Sequence, residues 1–151
     1  MAIGTDSAVE FFGTQDTLGT SSATVADAAF SIASDLSTWT NDDDAPMASV
    51  TALIDYATAP DANTSVNLYV RLLNTESTND NEIPDANYQH KFVGSFPVND
   101  VTTNQYITID IGLPNSKSSQ EYEFYIENRT GQTIQASWDL YITPKTIGPH
   151  A

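Results

Sequence analysis

Apolar and polar residues alternate with a period of two through much of this chain, the pattern of strands with one buried and one solvated face. Over residues 65–73, Val66, Leu68, Val70 and Leu72 share one face, and Asn67, Tyr69 and Arg71 take the other. Residues 105–111 place Ile107, Ile109 and Ile111 inward, and residues 121–127 place Tyr122, Phe124 and Ile126 inward. Residues 133–143 do the same with Ile134, Ala136, Trp138, Leu140 and Ile142. Shorter runs at 8–12, 28–34, 48–56 and 91–98 complete a set of about eight strands of ordinary length. In the 28–34 run Phe30 and Ile32 are expected together on one face. No 3.6-residue period extends beyond about ten residues, so no long helix is expected. The fold class predicted is all-β, an antiparallel two-sheet β-sandwich of jelly-roll-like type. Its core should contain Val66, Leu68, Val70, Ile107, Ile109, Phe124, Ile126, Trp138 and Leu140.

Turn chemistry punctuates the pattern. Asn128-Arg129-Thr130-Gly131 reads as a tight hairpin joining two strong strands, with Gly131 free to take positive φ. Pro60-Asp61-Ala62-Asn63 reads as a second turn, and residues 114–119 as a polar loop. Segments 40–47 and 74–89 lack alternation and predict long loops, the usual place for binding on a rigid sandwich.

A length of 151 residues suits a single domain, with short arms expected at 1–7 and 144–151. The absence of cysteine removes disulfides and thiolate metal sites. Five basic against 20 acidic residues give a formal charge of −15. Arg71, Lys91, Lys117, Arg129 and Lys145 are scattered singly, so neither phosphate backbones nor anionic membrane surfaces are expected partners. Met1-Ala2-Ile3-Gly4-Thr5-Asp6 has neither a basic start nor an apolar run, which predicts no secretory signal.

Few residues offer chemistry. Asp42, Asp43 and Asp44 are candidate calcium ligands, because calcium takes several oxygens, but no glycine falls where an EF-hand loop requires one. The run Asn79-Asp80-Asn81-Glu82 is a similar candidate that continues into Ile83-Pro84. Of two histidines, His150 is penultimate and His90 has no partner at metal spacing. No nucleophile elbow, phosphate-cradling loop or dinucleotide fingerprint occurs. Carboxylate pairs suited to glycoside chemistry are numerous among 20 acidic residues, yet such an enzyme needs an aromatic-lined cleft. Trp138 lies on an apolar face and is assigned to the core. Trp39, beside a polar loop, is the expected exposed aromatic, with Tyr69 and Tyr88 as companions. The expectation is a protein that is not an enzyme and holds no cofactor; the alternatives are a carbohydrate-binding β-sandwich module and a tail or fibre adhesion component.

Three stretches carry a family resemblance: the alternating strand Val66-Asn67-Leu68-Tyr69-Val70-Arg71-Leu72-Leu73; Ile83-Pro84-Asp85-Ala86-Asn87-Tyr88 leading into Phe92-Val93-Gly94-Ser95-Phe96-Pro97-Val98; and Tyr122-Glu123-Phe124-Tyr125-Ile126-Glu127-Asn128-Arg129-Thr130-Gly131. In arrangement they resemble the small β-sandwich decoration, or cement, proteins of tailed-phage heads. The resemblance implies a structural virion protein without catalytic residues, a trimer bound to the major capsid protein on the outer capsid surface and assembled in the host cytoplasm. Ile3, Trp39, Tyr88 and Ile147 are the expected partner contacts.

Overall fold

The computed structural model describes residues 8–149 apart from 22 and 90. Ile3 and the 1–7 arm lie outside the described residues, as do His90 and His150. Among the described residues nine strands form: β1 (Ala8–Phe12), β2 (Asp16–Thr20), β3 (Trp39–Thr40), β4 (Met47–Ile54), β5 (Ser65–Leu73), β6 (Phe92–Pro97), β7 (Gln105–Gly112), β8 (Glu121–Arg129) and β9 (Asp139–Pro149). They build a two-sheet antiparallel sandwich. One sheet runs β1-β9-β4-β7, with β2 lying along the same edge of β9 as β1; the other runs β3-β8-β5-β6.

The alternating residues set the register of the central pairs. Val50 of β4 lies between Ile109 and Ile142, and Ala52 between Ile107 and Leu140. In the second sheet Leu68 pairs with Ile126 and Val70 with Phe124. A one-residue slip would turn each of these rows out to water, so burial of one face holds the register. The rows meet as a single core that Leu18, Trp39, Ile134 and Trp138 join from the flanks. Of the nine expected core residues, Ile107 and Ile109 are only partly buried, because β7 is an edge strand and its flank is open.

Four expectations fail for local reasons. Residues 133–143 do not form one strand: Ser137 adopts φ +76°, so β9 starts at Asp139, while Ile134 reaches Val25 and Tyr56 by isolated bridges. The turn at 128–131 is no hairpin, since β8 and β9 lie in different sheets. Gly131 does take positive φ there (+75°). Asn128 holds the crossing by donating to the carbonyls of Val25 (2.8 Å) and Gln132 (2.7 Å). The 28–34 run is not a strand either. Ala28 sits at φ +59°, a 3₁₀ turn spans Ala33–Asp35, and Ile32 faces water while Phe30 pairs singly with Glu127. Finally, 144–149 is no arm. β9 continues through it and pairs with β1 from Phe12↔Lys145 to Ala8↔Pro149.

Candidate functional site

β4 stops pairing with β9 at Met47↔Lys145, whereas β1 stays paired to Pro149. Residues 8–12 and 146–149 therefore leave the sandwich as a two-stranded ribbon. Paired residues share a face. Glu10, Phe12, Lys145 and Ile147 lie on the outward face, and Val9, Phe11, Thr146 and Gly148 on the other. Phe11 is 49% exposed, Phe12 61% and Ile147 54%. Lys145 anchors the root. Its ammonium lies 2.8 Å from Asp110 of β7, 3.7 Å from Glu10 and 5.9 Å from the centre of the Phe12 ring. The Asp110 hydrogen bond raises the Lys145 pKa. Asp110 is lowered by the same bond and by the hydroxyl of Ser49 at 2.6 Å.

Across the sandwich, a groove of about 570 Å³ opens between the sheets beside the β6 and β7 edges. Val70, Leu72, Phe92, Val93 and Leu113 line it, with Lys91 at its rim ion-paired to Glu82 (3.2 Å). Its walls are apolar and its volume is in the range of small-ligand pockets.

Hydrogen bonds tie the acidic loop 41–44 to its surroundings at both ends. Asn41 is buried and clamps the loop by exchanging two 2.9 Å hydrogen bonds with Ala45. Asp44 accepts from the Ser118 hydroxyl (2.7 Å) and the Ser119 amide (2.8 Å), and both bonds hold its pKa down. Asp42 and Asp43 border a recess of about 160 Å³ with Asp16, whose carboxylate is taken by the Trp39 indole N–H at 3.0 Å. Among the described residues no three acidic or histidine side chains converge on one point. The 79–82 run lies at the surface and pins its own loop: Asp80 accepts from Arg71 (2.9 Å) and from the Asn74 amide (2.9 Å), and the Asn81 carbonyl accepts from Arg71.

The densest polar cluster lies on the outward face of the β5/β8 pair, which residues 23–31 and 74–89 cover. Glu127 is 1% exposed yet carries a carboxylate. Burial pushes its pKa up, but hydrogen bonds from Arg129, Asn67 and Tyr69 outweigh this and leave it below the ordinary glutamate value. The distances are 2.6 Å to Arg129 and 3.0 Å each to Asn67 and Tyr69. Glu123 accepts from Arg71 (3.2 Å) and Tyr125 (2.9 Å). A general acid needs a raised pKa, and Glu127 is held ionised. The two carboxylates act as clasps that satisfy the buried Tyr69 and Tyr125 and pair with Arg71 and Arg129.

The expected contact residues part company. Trp39 is buried against Tyr122 and Phe124, with ring centres 5.6 and 6.4 Å away, and its N–H donates to the exposed Asp16 carboxylate at 3.0 Å. Tyr69 is buried too, leaving Tyr88 exposed on the covering loop and Ile147 on the ribbon of the other sheet. Sequence reasoning missed Phe11, Phe12 and the groove. The uninterrupted apolar pair in β1 was the available signal. No protein-family model, curated protein or solved structure matches this chain.

Proposed function

We propose that this chain is a structural, non-catalytic virion protein that decorates the outer surface of a tailed-phage capsid, with the major capsid protein and further copies of itself, as a trimer, for partners. The observation that carries the reading is that Phe11, Phe12 and Ile147, three of the nine exposed large apolar residues among those described, stand together on one short ribbon of a strongly acidic chain. An exposed apolar patch on an otherwise charged surface marks a protein interface. A charge of −15 suits the outer side of a capsid and is repelled by packaged DNA on the inner side. The carboxylates with the most structured surroundings are committed to holding strands and loops. The sugar-binding alternative needs a platform of exposed aromatics, and burial of Trp39 and Tyr69 removes two of its three members.

The test uses virions from the source of the gene. Gold-labelled antibody should mark heads evenly, and the purified protein should bind undecorated heads, as followed by co-sedimentation. Label confined to tails or fibres, or absence from particles, would overturn the reading.

A further inference from the structure

The two segments that cover β5 and β8 are held in different ways. Residues 23–31 are laced to β8 through the backbone. Ala28 N–H donates to the Asn128 carbonyl (2.8 Å), Asn128 N–H to the Ala29 carbonyl (2.9 Å), and Ser31 N–H to the Ile126 carbonyl (2.8 Å). Residues 74–89 make one such bond to a strand among the described residues, from the Asn81 amide to the Leu72 carbonyl (2.9 Å). Three further backbone bonds close turns within the segment: Thr75 to Asn79, Asn79 to Glu76 and Tyr88 to Asp85. Of its apolar residues Pro84 is buried, while Ile83 and Tyr88 are nearly half exposed. A segment with few buried apolar contacts belongs to the part of a fold that opens first.

Charge supplies the remaining ties. Arg71 on β5 spreads its three nitrogens over both layers. Nε donates to the Asn81 carbonyl (2.9 Å), one terminal nitrogen to Asp80 (2.9 Å) and the other to Glu123 of β8 (3.2 Å). A second ion pair joins Glu82 to Lys91 at 3.2 Å. Segment 74–89 thus lays two carboxylates on two of the chain's five basic side chains, and both cations are largely screened from water.

We propose that residues 74–89 form a latched lid that lifts from β5 and β8 as one unit, baring Arg71 and Lys91 while the sandwich and residues 23–31 stay folded. The inference concerns the chain's own contacts and does not depend on the decoration reading.

The geometry makes this line of opening the cheapest. When Asp80 leaves, Arg71 keeps Glu123, so no cation is left buried without a partner, which is what makes breaking an ion pair costly. Asp80 and Glu82 are already 37% and 56% exposed and pass into water with little further change. Lifting 23–31 would instead strip the backbone bonds from Ile126 and Asn128 and uncover the Glu127 carboxylate. The hinge is marked at one end by Asn74, whose φ of +51° lies in the left-handed region that asparagine tolerates. Asp80 also accepts from the Asn74 amide (2.9 Å), so one carboxylate sets both latch and hinge.

The test is native-state hydrogen exchange of the full chain, with acetylation of Lys91 followed alongside. The Asn81 amide reports the lid, the Ser31 amide reports the laced segment, and amides paired between β5 and β8 report global unfolding. In wild type Asn81 should exchange at least about tenfold faster than Ser31 and the core amides, after correction for intrinsic rates. Asp80→Asn keeps the side chain's shape and removes its charge. It should speed Asn81 exchange about tenfold to a hundredfold, the loss of one charge-assisted hydrogen bond, and leave Ser31 unchanged. It should also speed acetylation of Lys91, although Lys91 is tied to Glu82 and not to Asp80. Glu82→Gln should in turn speed exchange at Asn81. A wild-type Asn81 amide that exchanges only at the rate of the core would overturn the inference, because the lid would then open only with the whole fold. Unchanged acetylation of Lys91 in Asp80→Asn would overturn it too, since the two ties would be opening independently.

Discussion

The two outer faces of the sandwich are built from the same kind of strand and end up in opposite environments. On the β4/β7/β9 sheet, Ser49 reaches Asp110 and Thr51 reaches Thr108 at 2.8 Å in the open, and Tyr106 is 71% exposed. On the β5/β8 pair, Tyr69, Tyr125 and Glu127 sit under residues 23–31 and 74–89. Phe30 packs on Tyr69 at 5.3 Å between ring centres, Phe92 does so at 5.6 Å, and Gln89 approaches Glu127 at 3.5 Å. Period two fixes which side of a sheet a residue faces, but the rest of the chain decides whether that side is wet. The covered face is a second, polar core, and the bare face and its ribbon stand in water.

The largest expected effect lies under the cover. Tyr125→Ala should lower unfolding free energy by about 3–5 kcal/mol, the usual cost of deleting a buried aromatic. It removes a fully buried ring and leaves Glu123 without one of its donors. Burial, reinforced by Glu123, pushes the Tyr125 pKa up to about 12. The folded state therefore favours the neutral phenol, and this contribution fades as pH rises above the ordinary tyrosine value of 10.0. Denaturant unfolding of wild type and variant checks the magnitude. A loss under about 1 kcal/mol would mean that the cover opens readily.

A smaller effect is expected at Glu127. Its carboxyl is more acidic folded than unfolded, so its contribution is complete above the ordinary value of 4.5 and is lost as pH falls below it. Glu127→Gln should cost about 2 kcal/mol at neutral pH, since charge-assisted hydrogen bonds from Arg129, Asn67 and Tyr69 are weakened or mismatched. The variant should also show a flatter stability profile below pH 4.5. An unchanged acid limb would remove Glu127 from the acid response of the fold.

The sandwich was legible where alternation is strict. β4, β5 and β8 lie within two residues of their expected bounds, and their inward rows form the core. β2 was not legible: Asp16-Thr17-Leu18-Gly19-Thr20 offers one large apolar residue, and the strand forms because β9 is there to receive it. Trp39 was misplaced because its neighbours in sequence are polar, while the rings that pack on it, Tyr122 and Phe124, come from a strand remote in sequence. Glu127 was assigned its correct side and the wrong environment, since its cover comes from two remote segments. The ribbon was half legible. Residues 8–12 read as a strand, but nothing local showed that they outrun the sheet.

The smallest effect should come from the matched deletion on the bare face. Tyr106→Ala removes the same type of side chain as Tyr125→Ala, also from a strand within a sheet. Tyr106 pairs with Leu53 of β4, and most of its ring stands in water. Deleting it creates no cavity and strands no buried polar group, so the change should fall within about 0.5 kcal/mol of wild type, as for most surface substitutions. A weak loss of β propensity is the one term left to act. Both variants lose the same atoms, and the strand propensity difference between edge strand β7 and internal strand β8 spans only about 1 kcal/mol, so most of the contrast between the two tyrosines reports the cover over β5 and β8. If Tyr106→Ala were to cost several kcal/mol, the open face of the isolated chain would have to be covered in solution. The effect would then depend on protein concentration, since a covering copy binds by mass action. Measuring the unfolding midpoint of Tyr106→Ala at two widely separated concentrations distinguishes a bare face from one that a neighbour covers.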